Sequence, residues 1–365
     1  MNTTDFLSKV YGDCTVVVTG GHGFKGAWLC SMLVELGANV HAVGIQRDDN
    51  LLWNHIASHS KRLHSHFIDV ADPTSAQFVA DLNPDIIFHL AAQPIVSVGY
   101  DDPYNTFASN LMGTVNMLEA MRKIDKTVTG IFATTDKVYK NFEKIEGYTE
   151  DEMLGGHDPY SASKAASSLA ISSYNSSYFD TVNTEKAKKV IEVRAGNVIG
   201  GGDFSKNRIV VDLIQAAKAN KPVEIKSFNS VRPFQHVLDA VFVYVFLGAV
   251  YSLDSTNAFP HRVYNVGPNN ASIMSVRELA LYFHKALDVA IIDAQKANFH
   301  ETKLLSLDSS LLRNTFKWSP IWGEKDILLG KTCQWYAAWL KDEDLTAMTI
   351  SQVKEFLNDV NERSI

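Results

Sequence analysis

Hydrophobic and polar positions near the amino terminus follow the spacing of a strand, a helix and a second strand. Residues 14–18 form an apolar run rich in β-branched side chains, and residues 40–45 form another. Between these runs, apolar residues recur with helical spacing at Trp28, Leu29, Met32, Leu33 and Leu36. A strand, a helix and a strand in this order predict a parallel unit whose helix covers one face of a sheet.

The same alternation continues to about residue 200. Apolar runs at 66–70, 84–90, 131–135 and 189–194 predict further strands, and residues 105–123 carry the helical period. We therefore predict an α/β fold with a doubly wound parallel sheet of the Rossmann type. Ligands of such sheets bind at the carboxyl ends of the strands.

The pattern changes after residue 200. A glycine-rich loop, short mixed segments, an apolar run from Ala240 and a Ser-x-x-Glu capping box from Ser275 to Glu278 replace the regular alternation. We predict a dinucleotide-binding domain over residues 1–200 and a smaller C-terminal substrate-binding lobe over 201–365. Segments within about 232–268 are expected to return to the first domain.

Composition narrows the possible functions. The chain has 365 residues, 46% of them hydrophobic, which is enough to bury a large core. The formal net charge of −7 argues against a nucleic-acid partner, which would require a basic surface. Three cysteines without metal-ligand spacing predict neither a metal site nor a disulfide framework.

The amino terminus lacks the basic and apolar stretches of a signal peptide. The apolar run that begins at Ala240 is too short to span a bilayer and predicts a buried helix instead. We therefore expect a cytoplasmic protein with no membrane partner.

A glycine-rich loop joins the first predicted strand to its helix. Gly20, Gly23 and Gly26 have the spacing G-x-x-G-x-x-G, and Phe24 opens the helix. Glycines let the backbone approach a pyrophosphate, while the helix amino terminus supplies unpaired N–H groups and the positive end of a dipole. The loop predicts a dinucleotide cofactor.

The ends of the next strands supply the remaining cofactor contacts that we predict. Arg47 follows the second strand where a carboxylate would indicate NAD and an arginine NADP, so the choice between these cofactors stays open. A surface role for Arg47 is equally compatible with the sequence. We expect further contacts from residues at the next two strand ends and from a helical asparagine: Asp69, Val70, Ala91, Ala92, Gln93 and Asn110.

Residues 131–164 carry the strongest candidate chemistry. Thr135, Asp136 and Lys137 follow an apolar run, and Tyr160 and Lys164 stand four residues apart, on one face of a helix. A neighbouring ammonium favours phenolate, so Lys164 is expected to lower the pKa of Tyr160 from its ordinary value of about 10. The spacing alone also fits a half-exposed tyrosine beside a solvated lysine.

Several blocks of the chain resemble the extended short-chain dehydrogenase/reductase superfamily and, within it, the CDP-glucose 4,6-dehydratases. The blocks run in order over nearly the whole chain and include TGGHGFKGAWL, GHDPYSASK and VRAGNVIGGGDF. Asp136-Lys137 is the more specific sign, since similar dTDP-glucose and GDP-mannose dehydratases carry Asp-Glu there. Thr135 stands where a serine is usual, and Val211 where a proline is usual.

The resemblance implies an internal redox reaction on CDP-glucose with bound NAD and no net cofactor consumption. It implies that Tyr160 and Lys164 serve the oxidation at C4, that Asp136 protonates the departing 6-hydroxyl and that Lys137 removes the C5 proton or stabilises the enolate. Thr135 would bond the 4-oxygen. Asn197, Arg208, Arg232 and Tyr264 are candidates for the nucleotide end. A homodimer through helices 105–123 and 160–178 is also implied.

Two other functions remain compatible with the sequence. A nucleotide-sugar 4-epimerase or another dehydratase of the superfamily needs the same tyrosine and lysine, but an epimerase has no use for Asp136 as an acid. A catalytically silent NAD-binding regulator would be free to lose the five candidate catalytic residues, and this chain retains all of them.

Overall fold

The computed structural model describes residues 1–46, 51–144, 146–179, 186–206, 208–225, 228–268, 273–294 and 305–363. Within these ranges a seven-stranded parallel sheet forms the centre of the molecule. Its first six strands are β1 Thr15–Thr19, β2 Asn39–Gly44, β3 Leu63–Phe67, β4 Ile86–His89, β5 Val128–Thr135 and β6 Lys188–Ala195.

Six short strands follow in the second half of the chain: β7 Val198–Ile199, β8 Val223–Ile225, β9 Val231–Pro233, β10 Gln235–His236, β11 Val263–Val266 and β12 Ile273–Ser275. A thirteenth, β13, spans Ile291–Asp293. β11 pairs with β6 and completes the central sheet, in the order β11-β6-β5-β4-β1-β2-β3. The others form the two-stranded pairs β10-β7, β12-β9 and β13-β8.

Helices cover both faces of this sheet. The first eight are α1 Thr3–Tyr11, α2 Phe24–Glu35, α3 Leu51–Ile56, α4 Thr74–Asp81, α5 Val96–Asp101, α6 Pro103–Phe107, α7 Gly113–Lys123 and α8 Pro159–Tyr174. The remainder are α9 Ile209–Ala219, α10 Val237–Leu253, α11 Val276–Leu287, α12 Ser310–Phe316, α13 Lys325–Leu340 and α14 Leu345–Glu362. The predicted doubly wound Rossmann-type fold is confirmed.

The strand order reverses between β1 and β4. From β1 the chain builds outward through β2 and β3, then returns to place β4 on the other side of β1. Parallel strands whose connections diverge in this way leave a crevice at their carboxyl ends, which is where such folds bind ligands. The glycine loop after β1 opens into this crevice.

Two apolar layers hold the sheet. One packs α2, α10 and α14 against one face, and the other packs α4, α7 and α8 against the opposite face. The apolar run from Ala240 lies inside α10, which is buried along nearly its whole length, as the sequence predicts. Each fully buried aliphatic or aromatic side chain contributes about 1.5–3 kcal/mol. Within the described residues, no helix is long and apolar enough to cross a membrane.

The structure shifts two of the predicted elements. β3 spans Leu63–Phe67 rather than 66–70, so Asp69 and Val70 follow the strand instead of ending it. The helix predicted over 105–123 contains a π-helical stretch, Ala108–Met112, between α6 and α7. The predicted capping box of α11 is present, with Ser275 and Glu278 bonded reciprocally.

Candidate active site

The glycine loop lies between β1 and α2 at the reversal of strand order. Gly20 has φ +70, and a Cβ there would lie 2.7 Å from the backbone nitrogen of Ala91. A Cβ on Gly26 would lie 2.0 Å from the carbonyl oxygen of Gly20, so only glycine lets α2 approach the loop this closely. Gly23 caps α2 without a side-chain hydrogen bond. The helix amino terminus is therefore open to an anion, which fits the pyrophosphate of a dinucleotide.

The ends of β2 and β3 lie beside the glycine loop, where the sequence predicts further cofactor contacts. Arg47 lies outside the described residues. Asp69 is exposed after β3 and accepts a hydrogen bond from the Ala71 amide, while the Val70 side chain is buried against Gly113. His22 of the glycine loop is buried and bonded to Ser65 at 3.0 Å.

Ala91, Ala92 and Gln93 follow β4 and border the same crevice. Asn110 holds this segment, because its side-chain oxygen accepts from the Gln93 amide at 2.8 Å. Its amide nitrogen donates to the Gln93 carbonyl and to the Ser163 hydroxyl, the latter at 2.8 Å. Asn110 lies in the π-helical stretch, a distortion that is frequent at functional sites. It ties the cofactor-side loop to the residue that precedes Lys164.

The candidate catalytic turn begins where β5 ends. Thr135 caps a single 3₁₀ turn over Asp136–Val138 by accepting from the Lys137 amide, and its hydroxyl donates to the Asp136 carboxylate at 2.8 Å. Asp136 is only 5% exposed. Burial raises the pKa of Asp136, against opposing contributions from Lys137, Thr135 and Lys25. Asp136 therefore keeps a proton to higher pH than an exposed carboxyl group does.

Helix α8 brings Tyr160 and Lys164 to the same turn. Asp158 caps the helix by accepting from the Ser161 amide at 3.1 Å, which fixes the first turn that carries Tyr160. The side chain of Thr135 hydrogen-bonds Tyr160 and lowers its pKa, whereas the negative charge of Asp136 raises it. Thr135, Asp136, Tyr160 and Lys164 are all buried. The structure thus brings the strand-end turn and the helix together, with Lys137 half-buried beside them.

The pKa of Tyr160 differs from the expectation. Burial raises it to about 12, and the hydrogen bond with Thr135 opposes this only in part. The Lys164 ammonium donates to the Ala133 carbonyl at 3.1 Å, and Lys164 is not among the main causes that set the pKa of Tyr160. Burial and Lys25 lower the pKa of Lys164 to about 8, while Glu192 raises it.

Two of the predicted nucleotide-end residues lie near the turn. Asn197 follows β6, the strand beside β5. A Cβ on the preceding residue, Gly196, would lie 3.9 Å from the Asp136 carboxylate, so this segment passes close to the turn. Arg208 precedes α9, forms an ion pair with Asp203 at 3.1 Å and interacts electrostatically with Tyr160.

The other two nucleotide-end residues have different surroundings. Arg232 is half-buried on β9, in the β12-β9 pair. Tyr264 is fully buried on β11, where its hydroxyl lies 2.8 Å from that of Tyr251 and its ring packs against Phe316. The Tyr264 side chain is therefore enclosed by core residues, and its expected contact with substrate stays a prediction that this geometry does not support.

The sequence interpretation missed Lys25. This half-buried side chain projects from the first turn of α2 and interacts with Asp136, Asp203 and Arg208. Burial is the main cause that lowers the pKa of Lys25 to about 8. A lysine at a helix amino terminus opposes the dipole. A lysine at this position of a predicted helix therefore indicates that carboxylates lie close enough to offset the repulsion, and this could have been inferred from the sequence.

It also missed a buried ion pair beneath the turn. Glu192 and Arg194 stand two residues apart in the carboxyl-terminal half of β6, so both project to one face of the sheet. The Arg194 Nε lies 2.9 Å from a Glu192 oxygen, and both side chains are at most 5% exposed. Two opposite charges at this spacing in a buried strand predict such a pair.

Known proteins share both the fold and the sequence of this chain. Residues 16–267 match the model of the NAD dependent epimerase/dehydratase family. CDP-glucose 4,6-dehydratase of Salmonella typhimurium is 33% identical over 350 residues, covering 94% of this chain and 96% of that protein. CDP-paratose 2-epimerase of Salmonella typhi is 26% identical over 344 residues, covering 85% and 96%.

A solved structure shows the same architecture. The dTDP-glucose 4,6-dehydratase of Bacillus anthracis, in complex with NAD, matches with a TM-score of 0.71 at 19% identity, covering 92% of this chain and 99% of that one. The fold and the glycine cradle define a Rossmann-type dinucleotide-binding protein. The chain belongs to the NAD dependent epimerase/dehydratase family of the extended short-chain dehydrogenase/reductase superfamily. It is a nucleotide-sugar enzyme of the dehydratase and epimerase class, and NAD is its cofactor.

Proposed function

We propose that this enzyme is a CDP-glucose 4,6-dehydratase, which converts CDP-D-glucose to CDP-4-keto-6-deoxy-D-glucose and water. The observation that carries the proposal is the buried Asp136, held beside Tyr160 at the end of β5 with a raised pKa. A dehydratase needs a carboxylic acid there, whereas a 4-epimerase does not. The 33% identity to a CDP-glucose 4,6-dehydratase supports the same choice.

Oxidation at C4 is assigned to the residues of α8. In the proposal the ionised Tyr160 accepts the proton of the sugar 4-hydroxyl and becomes a neutral phenol, and the Lys164 ammonium stabilises the phenolate before this transfer. Bound NAD supplies the hydride acceptor for C4 and the hydride that C6 later receives. Thr135 bonds the 4-oxygen, consistent with its hydrogen bond to Tyr160.

Elimination of water is assigned to the turn after β5. The C4 ketone acidifies the C5 proton, so a base can remove it while Asp136 donates a proton to the departing 6-hydroxyl. Lys137 is the residue that we propose for C5, either as the base or as the cation that stabilises the enolate. Its position in the same 3₁₀ turn as Asp136 supports a concerted role, since elimination needs an acid and a base that act on adjacent carbons of one sugar.

The nucleotide end is assigned to Asn197, Arg208 and Arg232. Guanidinium groups bind a diphosphate through paired hydrogen bonds, which suits Arg208 at the mouth of the crevice. Its partner Asp203 holds it in place before substrate arrives. The cofactor residues are those of the glycine loop together with Ala91, Ala92, Gln93 and Asn110.

The quaternary structure that we propose is a homodimer formed through the α6–α7 helical segment and α8. These helices pack together and leave apolar side chains exposed, among them Tyr104 at 81%, Leu169 at 61% and Met112 at 46%. Exposed apolar side chains that cluster on neighbouring helices mark an interaction surface. A second copy of the chain would cover both helices symmetrically.

A panel of nucleotide sugars tests the proposed reaction. The purified enzyme is incubated separately with CDP-, dTDP-, UDP- and GDP-glucose, and the products are identified by mass and NMR. The proposal expects a 4-keto-6-deoxy sugar from CDP-glucose and little from the others. A product of unchanged mass with inverted C4 would select an epimerase, and activity with another nucleotide would reassign the substrate. Binding of NAD with no turnover of any sugar would favour a silent regulator.

A further inference from the structure

The carboxylate of Glu192 lies beneath the catalytic turn and collects hydrogen bonds from three elements. Its Oε1 accepts from the Thr134 hydroxyl at 2.6 Å, from Arg194 Nε at 2.9 Å and from the Ser168 hydroxyl. Its Oε2 accepts from Arg194 Nη2 at 3.0 Å. Glu192 is 1% exposed, so these bonds replace all contact with water.

These partners adjoin the candidate catalytic residues. Thr134 immediately precedes Thr135 and Asp136 at the end of β5, and Ser168 lies one helical turn beyond Lys164 on α8. Lys164 itself donates to the carbonyl of Ala133, the residue before Thr134. One buried carboxylate therefore links the strand that supplies the acid to the helix that supplies the phenol and ammonium.

The pair with Arg194 extends this link. Arg194 Nη1 donates to the Tyr139 hydroxyl at 2.9 Å and to the Glu150 carbonyl at 3.0 Å. The loop that leaves the catalytic turn is thereby fixed as well. Buried ion pairs add little stability compared with a well-packed apolar replacement. Stability alone gives a weak reason for this buried pair of charges on β6.

The charges around Lys164 come from three other elements. Lys25 on α2 opposes its positive charge, and Glu192 on β6 favours it. On β4, burial and the charge of Lys164 lower the pKa of His89 to about 3, so this neighbour stays neutral. Glu192 is thus the group that counters both burial and Lys25 at the Lys164 ammonium.

We infer that Glu192 is a positioning residue, whose buried carboxylate holds the end of β5 against α8 and keeps Lys164 positively charged during turnover. This inference rests on the proposed function, in which a charged Lys164 stabilises the ionised Tyr160. Glu192 acts through Thr134, Ser168 and Lys164 and does not itself touch the reacting sugar.

The test is the Glu192→Gln variant, which retains an oxygen acceptor for Thr134 and Ser168 but loses the charge. Lys164 is cationic below its pKa of about 8 and neutral above it. Because Glu192 raises that pKa, its neutralisation should move the alkaline limb of the kcat profile toward acid pH. A displacement of one pH unit lowers the rate beyond the limb about tenfold.

Lysine ε-carbon NMR provides a readout that needs no turnover, with the Lys164 resonance assigned by its loss in Lys164→Met. The Lys164 titration midpoint should fall in Glu192→Gln and rise in Lys25→Met, because Lys25 acts with the opposite sign. Glu192→Asp retains the charge and should restore the wild-type midpoint. A folded Glu192→Gln protein with an unchanged midpoint and an unchanged alkaline limb would overturn the inference.

Folding and tethering have their own controls. If Glu192→Gln does not fold because Arg194 is left unpaired, the Glu192→Gln/Arg194→Gln double variant carries the same two measurements.

Thr134→Val removes the tether without changing charge and should lower kcat several-fold while leaving KM near wild type. Thr129→Val is the matched control, because the buried Thr129 hydroxyl on the same strand has no hydrogen-bond partner among the described residues. Equal kcat in these two variants would contradict the tether.

The two hypotheses fail separately. If no nucleotide sugar is converted by the wild-type enzyme, the proposed function fails, but the NMR titration still measures whether Glu192 controls the charge of Lys164. If CDP-glucose is converted and the titration is unaffected, only the role of Glu192 is lost.

Discussion

At the scale of single residues, the chemistry of this site depends on one buried carboxylic acid, Asp136. Asp136 has its pKa raised by burial, so its protonated form persists into the range where an ordinary aspartic acid is ionised. An acid of this kind can protonate a departing hydroxyl, and that activity is lost as pH rises through the raised pKa. Lys25 and Lys137 limit the shift, since both lower the pKa of Asp136.

Replacement of Asp136 by asparagine should separate oxidation from elimination. Asp136→Asn keeps the shape of the side chain but removes the transferable proton, so we expect product formation to fall about a hundredfold to ten-thousandfold. Near-ultraviolet absorbance should meanwhile show reduced nicotinamide accumulating on the enzyme. Asp151→Asn, at an exposed aspartate of the following loop, serves as the control with wild-type rate. Wild-type product formation by Asp136→Asn would remove this residue from the mechanism.

The sequence predicts which of these residues share a helix face, but it does not predict how deeply each side chain is buried. The four-residue spacing of Tyr160 and Lys164 is sufficient to predict their shared helix face. The Tyr160 pKa of about 12 depends on burial by distant elements such as α5, where a Cβ on Gly99 would lie 3.2 Å from the Tyr160 amide. The burial of Tyr264 has the same origin, because a short motif cannot distinguish a core tyrosine from one that lines a cleft.

At the scale of secondary-structure elements, the cofactor cradle depends on the close approach of α2 to the glycine loop. The sequence predicts the loop from three glycines, but only the structure separates their roles. Gly26 serves helix packing, since its Cβ would lie 2.0 Å from the Gly20 carbonyl oxygen, whereas the nearest atom to a Cβ on Gly23 is 3.3 Å away.

This difference predicts unequal effects of alanine in the two positions. Gly26→Ala should destabilise the protein by about 1–3 kcal/mol or more, because backbone atoms must move to admit the methyl group. Gly23→Ala should unfold near wild type and mainly weaken NAD binding, since its methyl group would border the open end of α2. Urea unfolding and NAD titration measure the two effects. Equal stability of the variants would contradict the packing argument.

The edge of the sheet carries a histidine cluster that should make stability depend on pH. On β2 and β3, His41 lies 2.9 Å from His66 and its ring stacks on His64. Burial and the two neighbouring histidines lower the pKa of His41 to about 4. Because the pKa of His41 is lowered by folding, neutral His41 contributes fully to the stability of the fold above the ordinary pKa of about 6.5. That contribution is lost as pH falls toward 4.

We expect the melting temperature to fall between about pH 7 and about pH 5, and to fall less in His41→Gln. The exposed His55 of α3 offers the control, because His55→Gln should retain the wild-type pH dependence. Differential scanning calorimetry across this range gives the comparison. A His41→Gln protein with the wild-type slope would show that the cluster does not govern acid stability.

At the scale of the whole molecule, the predicted alternation of strands and helices accounts for β1 to β6, because local periodicity determines which segments form the parallel sheet. β11 is the exception in chain order. It joins the central sheet beside β6 after an excursion through α9 and α10. The small pairs β12-β9 and β13-β8 had no comparable signal, since strands of three residues are too short to show a period.

Assembly is the property of the whole molecule that a surface mutation can test. Leu169 is 61% exposed on α8, within the surface proposed for the dimer. Leu169→Glu should convert the dimer to monomers, because an unpaired charge would be buried at the interface. Sedimentation equilibrium gives the mass, with Leu281→Glu as the control at an exposed leucine of α11. A wild-type protein that sediments as a monomer would refute the dimer.

Internal hydride transfer from C4 to C6 distinguishes the proposed dehydratase from a 4-epimerase and from a catalytically silent regulator. Incubation with CDP-glucose that carries deuterium at C4 follows that transfer, because the label reports where the hydride goes. The proposed mechanism predicts deuterium at C6 of a 4-keto-6-deoxy product with no net reduction of NAD. Deuterium that returns to C4 of a sugar still bearing its 6-hydroxyl would contradict it.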